Sequence, residues 1–343
     1  MRHFVIVGIL VIVATILTYV GLSSAHLLPV AASLQAGSIN DAGSIDWLWN
    51  WELVVMAFLF ALIIVPMAYS MIVFRRRKGD TSDAEHMEGN TKLEIAWTVL
   101  PLILVFAFAY MGAYSLADVR RVDPDARVIK VQARQFVWTF EYPEYGIFSN
   151  ELHLPVDQQV VLKMTSSDVI HSFFVPEFRV KQDVVPGRTT EYIITPTLIG
   201  DYKVRCAELC GTSHAFMQNP VIVDSKGNFD LWIAEQAAIA AEQQKTPEGQ
   251  GQSLTVKNGC TGCHSVDGSP GIGPTWFGIY GADVELSDGR TVVVDDAFIT
   301  ESILDPNAKI VHGFPSPSPM PIYATVLTQE DINNIIAYIK TLK

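Results

Sequence analysis

The sequence predicts a multidomain membrane protein with a helical anchor, an all-β sandwich and a helical C-terminal domain. Three observations predict this class: long apolar stretches, short β-rich runs after them, and a polar segment before a final region with few β-rich runs. The chain has 343 residues, 17% of them charged, and its mean hydropathy is +0.26. These values are unusual for a soluble protein and indicate that part of the chain lies in lipid.

Three uncharged stretches, at residues 4–22, 53–74 and 95–116, are long enough to span a bilayer, which needs roughly 20 helical residues. The last two are expected to form a hairpin anchor, residues 45–117. Their connection contains Arg75, Arg76, Arg77, Lys78 and Lys92, whereas residues 23–52 contain no Lys or Arg. Basic residues mark the cytoplasmic side, so the chain after residue 116 is expected outside.

The N-terminal segment, residues 1–34, has two interpretations, a cleavable signal or an additional membrane helix. Met1-Arg2-His3 precedes the apolar run, and small residues follow around Ala25 and at residues 31–32, as in a signal sequence. The run at residues 4–22 is long for a signal core. This length favours a retained helix.

Residues 118–241 contain short β-rich runs, at 128–140, 159–164, 189–194, 201–204 and 220–223, followed by a predicted helix at 229–241. Such spacing is typical of an antiparallel sandwich or barrel. Residues 242–252 are expected to be a flexible linker to a domain at 253–343. In that domain Asp288-Gly289 predicts a hairpin turn, and a cap at residues 328–331 precedes an apolar stripe of isoleucines at 332, 335, 336 and 339.

The charge and cysteine content exclude two broad classes. With 24 basic and 36 acidic residues the net charge is −12, which argues against nucleic-acid binding. The 4 cysteines form two close pairs, so a disulfide-dense scaffold is excluded. Paired metal or cofactor ligands are the better interpretation.

The first cysteine pair lies in a ligand-rich segment. The candidate ligands are Cys206, Glu208, Cys210, His214 and Met217, with His171 upstream. Thiolate, imidazole and thioether together select copper, and a second thiolate favours a pair of coppers bridged by sulfur over a single blue-copper ion. Met217 and the Glu208 carbonyl would be the weak ligands. The alternatives are a disulfide and a zinc site, neither of which explains Met217.

The second pair lies in Cys260-Thr-Gly-Cys263-His264, the C-x-x-C-H pattern of covalent haem attachment. Two thiols would form thioethers to the porphyrin and the adjacent histidine would bind iron. Zinc binding and a redox thiol pair are the alternatives for this pattern taken alone.

With these motifs, residues 45–235 resemble subunit II of the haem–copper cytochrome c oxidases. Residues 92–101, KLEIAWTVLP, resemble the signature of that family's second anchor helix, and Pro186-Gly-Arg188 also matches. The resemblance implies a cupredoxin-like all-β sandwich that holds the dinuclear CuA centre on a two-helix anchor. It implies that Glu208 also binds Mg²⁺ at the contact with subunit I, and that Glu94 lies at the entrance of a proton channel in subunit I.

One segment departs from the family. Residues 134–142 align with an aromatic-rich stretch whose first aromatic is commonly the Trp that receives electrons from soluble cytochrome c. Here that residue is Phe136, while Trp138 is retained. The resemblance assigns both to the electron path, and the substitution puts the usual docking route in doubt.

The C-terminal domain resembles the all-α class I cytochromes c, because Gly273-Pro274 follows the haem motif and Pro319-Met320-Pro321 precedes the terminal helix. Met320 is the expected second axial ligand beside His264, with His312 as the rival. A Met/His pair gives the high potential suited to electron transfer.

Together the two resemblances point to the caa-type oxidases, proton-translocating oxidoreductases of the bacterial plasma membrane. They imply electron flow from an external donor, such as a cytochrome c or another small redox protein, to haem c, to CuA and to subunit I, where dioxygen is reduced. Subunit III is a further implied partner. The competing hypotheses are a CuA-bearing reductase of nitrogen oxides and a membrane electron shuttle without an oxidase partner.

Overall fold

A computed structural model describes residues 1–25, 33–34, 45–83, 86 and 88–343. The chain divides into two compact units, Met1–Arg121 and Val122–Lys343. The first carries the apolar helices and the second carries both cysteine pairs. Each unit is described separately below.

The described residues of the first unit form three helices, α1 (Arg2–Ser24), α2 (Ile45–Val73) and α3 (Thr91–Val119), and a two-residue strand, β1 (Ser33–Leu34). All three helices are long and apolar enough to cross a membrane, which confirms the three predicted apolar helices. The α1 and α2 helices contact each other where His3 Nδ1 lies 2.7 Å from the Tyr69 hydroxyl. The small residues 31–32, proposed as part of a signal cleavage region, lie outside the described residues.

The second unit begins with ten strands. They are β2 (Arg127–Arg134), β3 (Val137–Tyr142), β4 (Ile147–Ser149), β5 (Leu152–Pro155), β6 (Val160–Ser166), β7 (His171–Val175), β8 (Val180–Val184), β9 (Thr190–Pro196), β10 (Gly200–Cys206) and β11 (Gln218–Asp224). Strands β9-β6-β2-β3-β4 lie side by side in that order, and β5-β11-β10-β7-β8 form the other sheet. The predicted β-sandwich is confirmed, although the β2–β6 and β5–β11 pairs are parallel.

Whether a strand is buried on one face or on both explains which strands the sequence pattern predicts. In β2, buried residues alternate with partly exposed ones, which is the pattern of a strand with one covered face. In β5 all four residues are buried, and in β7 four of five are buried. Strands without alternation give no period-2 signal, so these two were not predicted.

The predicted run at 128–140 is two strands joined by a tight turn. Strands β2 and β3 pair from Lys130–Glu141 to Arg134–Val137, and Gln135 and Phe136 connect them. The Gln135 N–H donates to Asp168 Oδ2 at 2.7 Å, which holds the turn from outside the hairpin. We call residues 134–137 the hairpin tip.

The helical elements follow the sandwich. They are α4 (Lys226–Gln243), α5 (Pro247–Lys257), α6 (Asp296–Leu304) and α7 (Gln329–Thr341), with a hairpin of β12 (Asp283–Glu285) and β13 (Thr291–Val293). The predicted turn is confirmed, since Gly289 in it has φ +83°. Thr328 and Asp331 form the predicted capping box, and the four predicted isoleucines of α7 are buried.

The expected flexible linker at residues 242–252 is wrong in its local structure. Residues 242–243 end α4 and residues 247–252 lie in α5, which leaves 244–246 between two helices. The Thr246 hydroxyl accepts a hydrogen bond from the Gly249 N–H at 3.1 Å and caps α5. A Cβ at Gly251 would lie 2.0 Å from the Asn334 carbonyl oxygen of α7. Gly251 therefore permits close helix packing, although the composition of residues 242–252 resembles that of a linker.

This packing gives a stability prediction for two helical glycines. We expect Gly251→Ala to destabilise the chain by about 1–3 kcal/mol, because the added methyl overpacks the α5–α7 crossing. Gly227→Ala in α4 meets open space, so we expect it to be neutral or slightly stabilising through helix propensity. Thermal unfolding of the two full-length variants checks the difference, and equal shifts in melting temperature would contradict the close crossing.

Candidate metal centre and haem pocket

The end of β10 and the loop that follows bring two thiols and two imidazoles together. Cys206 is the last residue of β10 and pairs with Phe173 of the neighbouring β7, two residues from His171 at the start of that strand. Residues two apart share one face of a sheet, so Cys206 and His171 lie diagonally next to each other. The Cys206 and Cys210 sulfurs lie 3.8 Å apart. His171 Nδ1 lies 3.8 Å from Cys206 Sγ, and His214 Nδ1 lies 3.5 Å from Cys210 Sγ. Each sulfur therefore has its own imidazole.

Two weaker donors complete the arrangement, again one for each sulfur. The Glu208 carbonyl oxygen lies 3.2 Å from Cys206 Sγ, and Met217 Sδ lies 3.8 Å from Cys210 Sγ. The Cys206 N–H donates to the Met217 carbonyl at 3.0 Å and closes the base of the loop. The six predicted residues thus form one cluster whose donor types suit copper.

Asp168 orients one of the imidazoles. Its Oδ1 lies 2.8 Å from Nε2 of His171, whose side chain is fully buried. A carboxylate at Nε2 directs Nδ1 towards Cys206, so Nδ1 can offer its lone pair to a metal once its proton leaves, as in metal-binding histidines. Burial disfavours a charged ring, but Asp168 and Cys206 outweigh it and raise the pKa of His171 to about 9.

The two thiols do not ionise alike. Burial opposes both thiolates, yet hydrogen bonds from His171 and from backbone amides lower the pKa of Cys206 to about 6. Burial together with the nearby Cys206 charge raises the pKa of Cys210 to about 12. The protein alone thus favours one thiolate, and two bridging thiolates need the positive charge of a metal.

The aromatic residues lie around this cluster. Trp138 is fully buried, with its ring edge-on to His171 at a centroid distance of 6.1 Å. Phe136 is 5% exposed, and its ring covers Gly211 in the ligand loop, where a Cβ would lie 3.0 Å from Phe136 Cζ. Gly211 has φ +135°, so both its backbone and its neighbours exclude a side chain.

The two carboxylates assigned by resemblance are both exposed. Glu208 turns its carbonyl towards Cys206 while its residue surface is open, and Glu94 lies in the first turn of α3. Neither forms part of the sulfur cluster through its carboxylate. Their surfaces are accessible to another subunit.

The residues of the second motif line one largely apolar cavity in the C-terminal domain. Cys260, Cys263, His264 and Met320 all contribute to its wall, together with Trp276. His312 is exposed and does not contribute to this wall. Burial raises the pKa of Cys260 to about 12, as expected for a thiol in an apolar site. The cavity thus presents two thiols, an imidazole and a thioether, which fit a covalently attached haem.

His264 is fixed for iron binding. Its Nδ1 lies 2.7 Å from the Pro274 carbonyl oxygen, and its ring stacks on Trp276 at an interplanar angle of 13°. A Cβ at Gly273 would lie 2.7 Å from the His264 ring, so this close approach requires glycine. Burial lowers the pKa of His264, which keeps the imidazole neutral with Nε2 as the ligand atom.

The hairpin tip packs on the haem-attachment segment, which we define as residues 257–263. A Cβ at Gly259 or Gly262 would lie 2.6 Å from the Val137 side chain. Arg134 Nη1 donates to the Asn258 carbonyl at 2.6 Å. The sequence pattern does not predict this contact, because the β2–β3 turn lies within one apparent β-rich run, residues 128–140. The aligned aromatic segment at 134–142 was the available signal.

A further contact flanks the hairpin tip. The Asn150 Nδ2 donates to the Thr261 Oγ1 at 2.8 Å, and the Lys257 ammonium lies 5.4 Å from the centre of the Phe148 ring. The haem-attachment segment therefore has polar and apolar contacts with the sandwich.

Comparisons with known proteins identify the family. Three family descriptions match: cytochrome c oxidase subunit II, transmembrane domain, at residues 27–117; its periplasmic domain at 147–226; and cytochrome c at 249–343. A cytochrome c oxidase subunit 2 from Alkalihalophilus pseudofirmus is 32% identical over 87% of this chain and 88% of its own length. The chain belongs to the cytochrome c oxidase subunit II family. The expectation from the sequence motifs is confirmed.

Other relatives agree over parts of the chain. Cytochrome c oxidase subunit 2 from Synechocystis is 32% identical over 63% of this chain and 77% of its own length. A crystal structure of the periplasmic domain of oxidase subunit II from Bradyrhizobium japonicum covers 34% of this chain and 96% of its own, with 29% identity and a TM-score of 0.33.

Family membership establishes the general role. The chain is an integral membrane subunit of a haem–copper oxidase that works in electron transfer with subunit I, and its sandwich and cytochrome domain are extracytoplasmic. The subunit II family implies a CuA copper centre and the cytochrome c domain implies haem. The His171, Cys206 and Cys210 cluster is consistent with that copper centre.

Asp168 gives a prediction for metal binding. Asp168→Asn keeps the size of the side chain but removes the carboxylate that accepts from His171, so we expect copper affinity to fall by about 10- to 100-fold. Competition with a copper chelator measures the affinity of the full chain. Asp201→Asn, on the exposed start of β10, is the matched control and should bind copper as the unmodified chain does. Equal affinities for both variants would contradict the orienting role of Asp168.

Proposed function

We propose that this chain is subunit II of a caa-type cytochrome c oxidase. It accepts electrons at a haem c, passes them to CuA and delivers them to subunit I, where dioxygen is reduced to water with proton pumping. One observation carries the proposal: the haem-attachment segment packs directly on the hairpin tip, which in turn contacts the loop that holds the CuA cluster. The two centres of one chain are thus neighbours.

The proposed copper ligands are the six residues of the cluster. Cys206 and Cys210 would bridge two coppers, His171 and His214 would each bind one, and Met217 and the Glu208 carbonyl would be the weak ligands. A bound copper pair shares one electron over two ions, so little rearranges on transfer. Each of the two sulfurs lies close to one imidazole nitrogen and one weak donor, and these distances support the assignment.

The proposed haem residues are Cys260 and Cys263 for the thioethers and His264 and Met320 for the iron. Their positions around one cavity support the assignment, and the exposure of His312 disfavours the rival axial ligand. Such a Met/His-ligated haem supplies a high-potential site for one electron. The surrounding apolar wall excludes water from it.

The cytochrome domain takes the place of a soluble donor at the CuA surface. Phe136 stands where the family commonly has the Trp that receives electrons from soluble cytochrome c. Here it is buried, next to Val137, which packs on the haem-attachment segment. A buried residue beside that contact offers no surface to a soluble partner. This burial accounts for the departure from Trp, and Trp138 behind His171 completes the aromatic surroundings.

We propose further partners on the accessible surfaces. The exposed Glu208 carboxylate would bind Mg²⁺ shared with subunit I, and the exposed Leu209 and Phe216 in the same loop offer an apolar contact to that subunit. Glu94 would lie at the entrance of the proton channel, and subunit III would complete the oxidase. The external donor would be a cytochrome c or another small redox protein. The haem domain, with 5 basic and 10 acidic residues, favours a basic one.

Gly262→Ala tests the proposed route in the purified oxidase. The new methyl would meet Val137, and overpacking of about 1–3 kcal/mol shifts the docking equilibrium by roughly five- to 150-fold. We expect covalent haem and copper to be retained while transfer from haem c to CuA slows. Flash reduction of haem c, followed at the near-infrared CuA band, measures that rate.

Gly227→Ala, which meets open space in α4, is the control and should transfer at the unmodified rate. If Gly262→Ala transferred as fast as this control, electrons would not cross at the proposed contact. A chain that passed no electrons from haem c to CuA in any variant would contradict the relay itself.

A further inference from the structure

Gln135 contacts both sides of the copper cluster. Its Nε2 donates a hydrogen bond to the carbonyl oxygen of Cys210. Its backbone N–H donates to Asp168 Oδ2 at 2.7 Å, and Asp168 Oδ1 lies 2.8 Å from His171 Nε2. Gln135 is therefore linked directly to Cys210. Through the Asp168 carboxylate it is also linked to His171.

Gln135 also reaches the haem cavity. Arg134, Gln135 and Cys263 all contribute to the wall of that cavity. The residue that donates to the Cys210 carbonyl therefore also borders the proposed haem site. The Phe136 ring meanwhile covers Gly211, the residue that follows Cys210.

The geometry points to Gln135 as the positioning residue for electron transfer from haem c to CuA, through its amide hydrogen bond to Cys210. This inference rests on the proposed function. The path runs from the haem cavity, which Gln135 lines, through the Gln135 side chain to the Cys210 carbonyl. Electronic coupling decays more slowly along covalent and hydrogen bonds than across empty space, so this path favours transfer.

The step itself moves one electron. In the loaded chain, haem c would give up one electron, supplied to it by the external donor, and the copper pair would accept it. No bond of the protein forms or breaks and no proton is transferred. Gln135 acts only by holding the amide against Cys210.

Two substitutions separate the hydrogen bond from the volume of the side chain. Gln135→Leu removes the amide, and Gln135→Glu keeps the shape but, as a carboxylate, cannot donate to a carbonyl. Gln132→Leu on β2 is the matched control, because the Gln132 amide donates to the adjacent Ala133 carbonyl at 3.3 Å. All variants are made in the full chain within the oxidase.

The experiment is flash reduction of haem c, with the oxidation of haem c and the reduction of CuA followed together. We expect both Gln135 variants to transfer about two- to tenfold more slowly, because losing one hydrogen bond lowers the population of the coupled geometry by about that factor. Gln132→Leu should transfer at the unmodified rate.

Readouts other than transfer exclude a general loss of structure. The near-infrared band and electron paramagnetic resonance spectrum of CuA and the reduction potential of haem c should be unchanged. Hydrogen exchange across residues 257–263 should match that of the unmodified chain, which shows that the haem-attachment segment is still docked. Slowed transfer together with a lost copper spectrum or faster exchange in residues 257–263 would overturn the inference in favour of a structural role.

The outcomes also distinguish this inference from the proposed function. Transfer at the unmodified rate in Gln135→Leu or Gln135→Glu, with the unmodified chain active, would overturn the role of Gln135 and leave the relay standing. Absence of transfer in the unmodified chain would refute the relay.

Discussion

The close fit of the hairpin tip against the haem-attachment segment is the interaction on which the proposed function of this chain depends. Val137 packs against two backbone positions, Gly259 and Gly262, that have no room for a Cβ. Gly262 lies inside the C-x-x-C-H motif itself, so the motif meets two requirements at once. It carries the thiols and the histidine proposed to hold haem. It also places a residue without a side chain, Gly262, against Val137 of the neighbouring domain.

The same hairpin tip restrains the copper cluster. Asp168 accepts hydrogen bonds from the Gln135 backbone and orients His171, so the turn and the imidazole share one carboxylate. The two thiols 3.8 Å apart cannot both carry charge without a cation, because the Cys206 charge raises the pKa of Cys210. Copper would therefore supply the charge that this loop lacks, while the fold supplies the positions.

Much of the site could be predicted from the sequence because its chemistry is local. Cys206 to Met217 and Cys260 to His264 are short segments whose residue types and spacing already specify the donors. The amphipathic α7 was equally clear, since its isoleucines repeat with helical spacing. The three apolar helices followed from length and hydropathy alone.

The relation between the two centres could not be predicted, because it depends on contacts between distant residues. Gly251 and its neighbours had the composition of a linker, and only the crossing with Asn334 explains them as packing residues. Gln135 and Phe136 lay within one β run, and the buried strands β5 and β7 lacked alternation. A flexible linker and a segment of closely packed helices can have the same amino-acid composition, and only the tertiary structure distinguishes them.

The measurement that tests the central claim most directly is the rate of haem c to CuA transfer in the intact oxidase as solvent viscosity is raised. A docked cytochrome domain has no diffusional step, so we predict a rate independent of viscosity and of protein concentration. A rate that falls in proportion to viscosity would show a tethered domain that must diffuse back to the copper site before each transfer. A rate that rises with protein concentration would show transfer between molecules and contradict the relay within one chain.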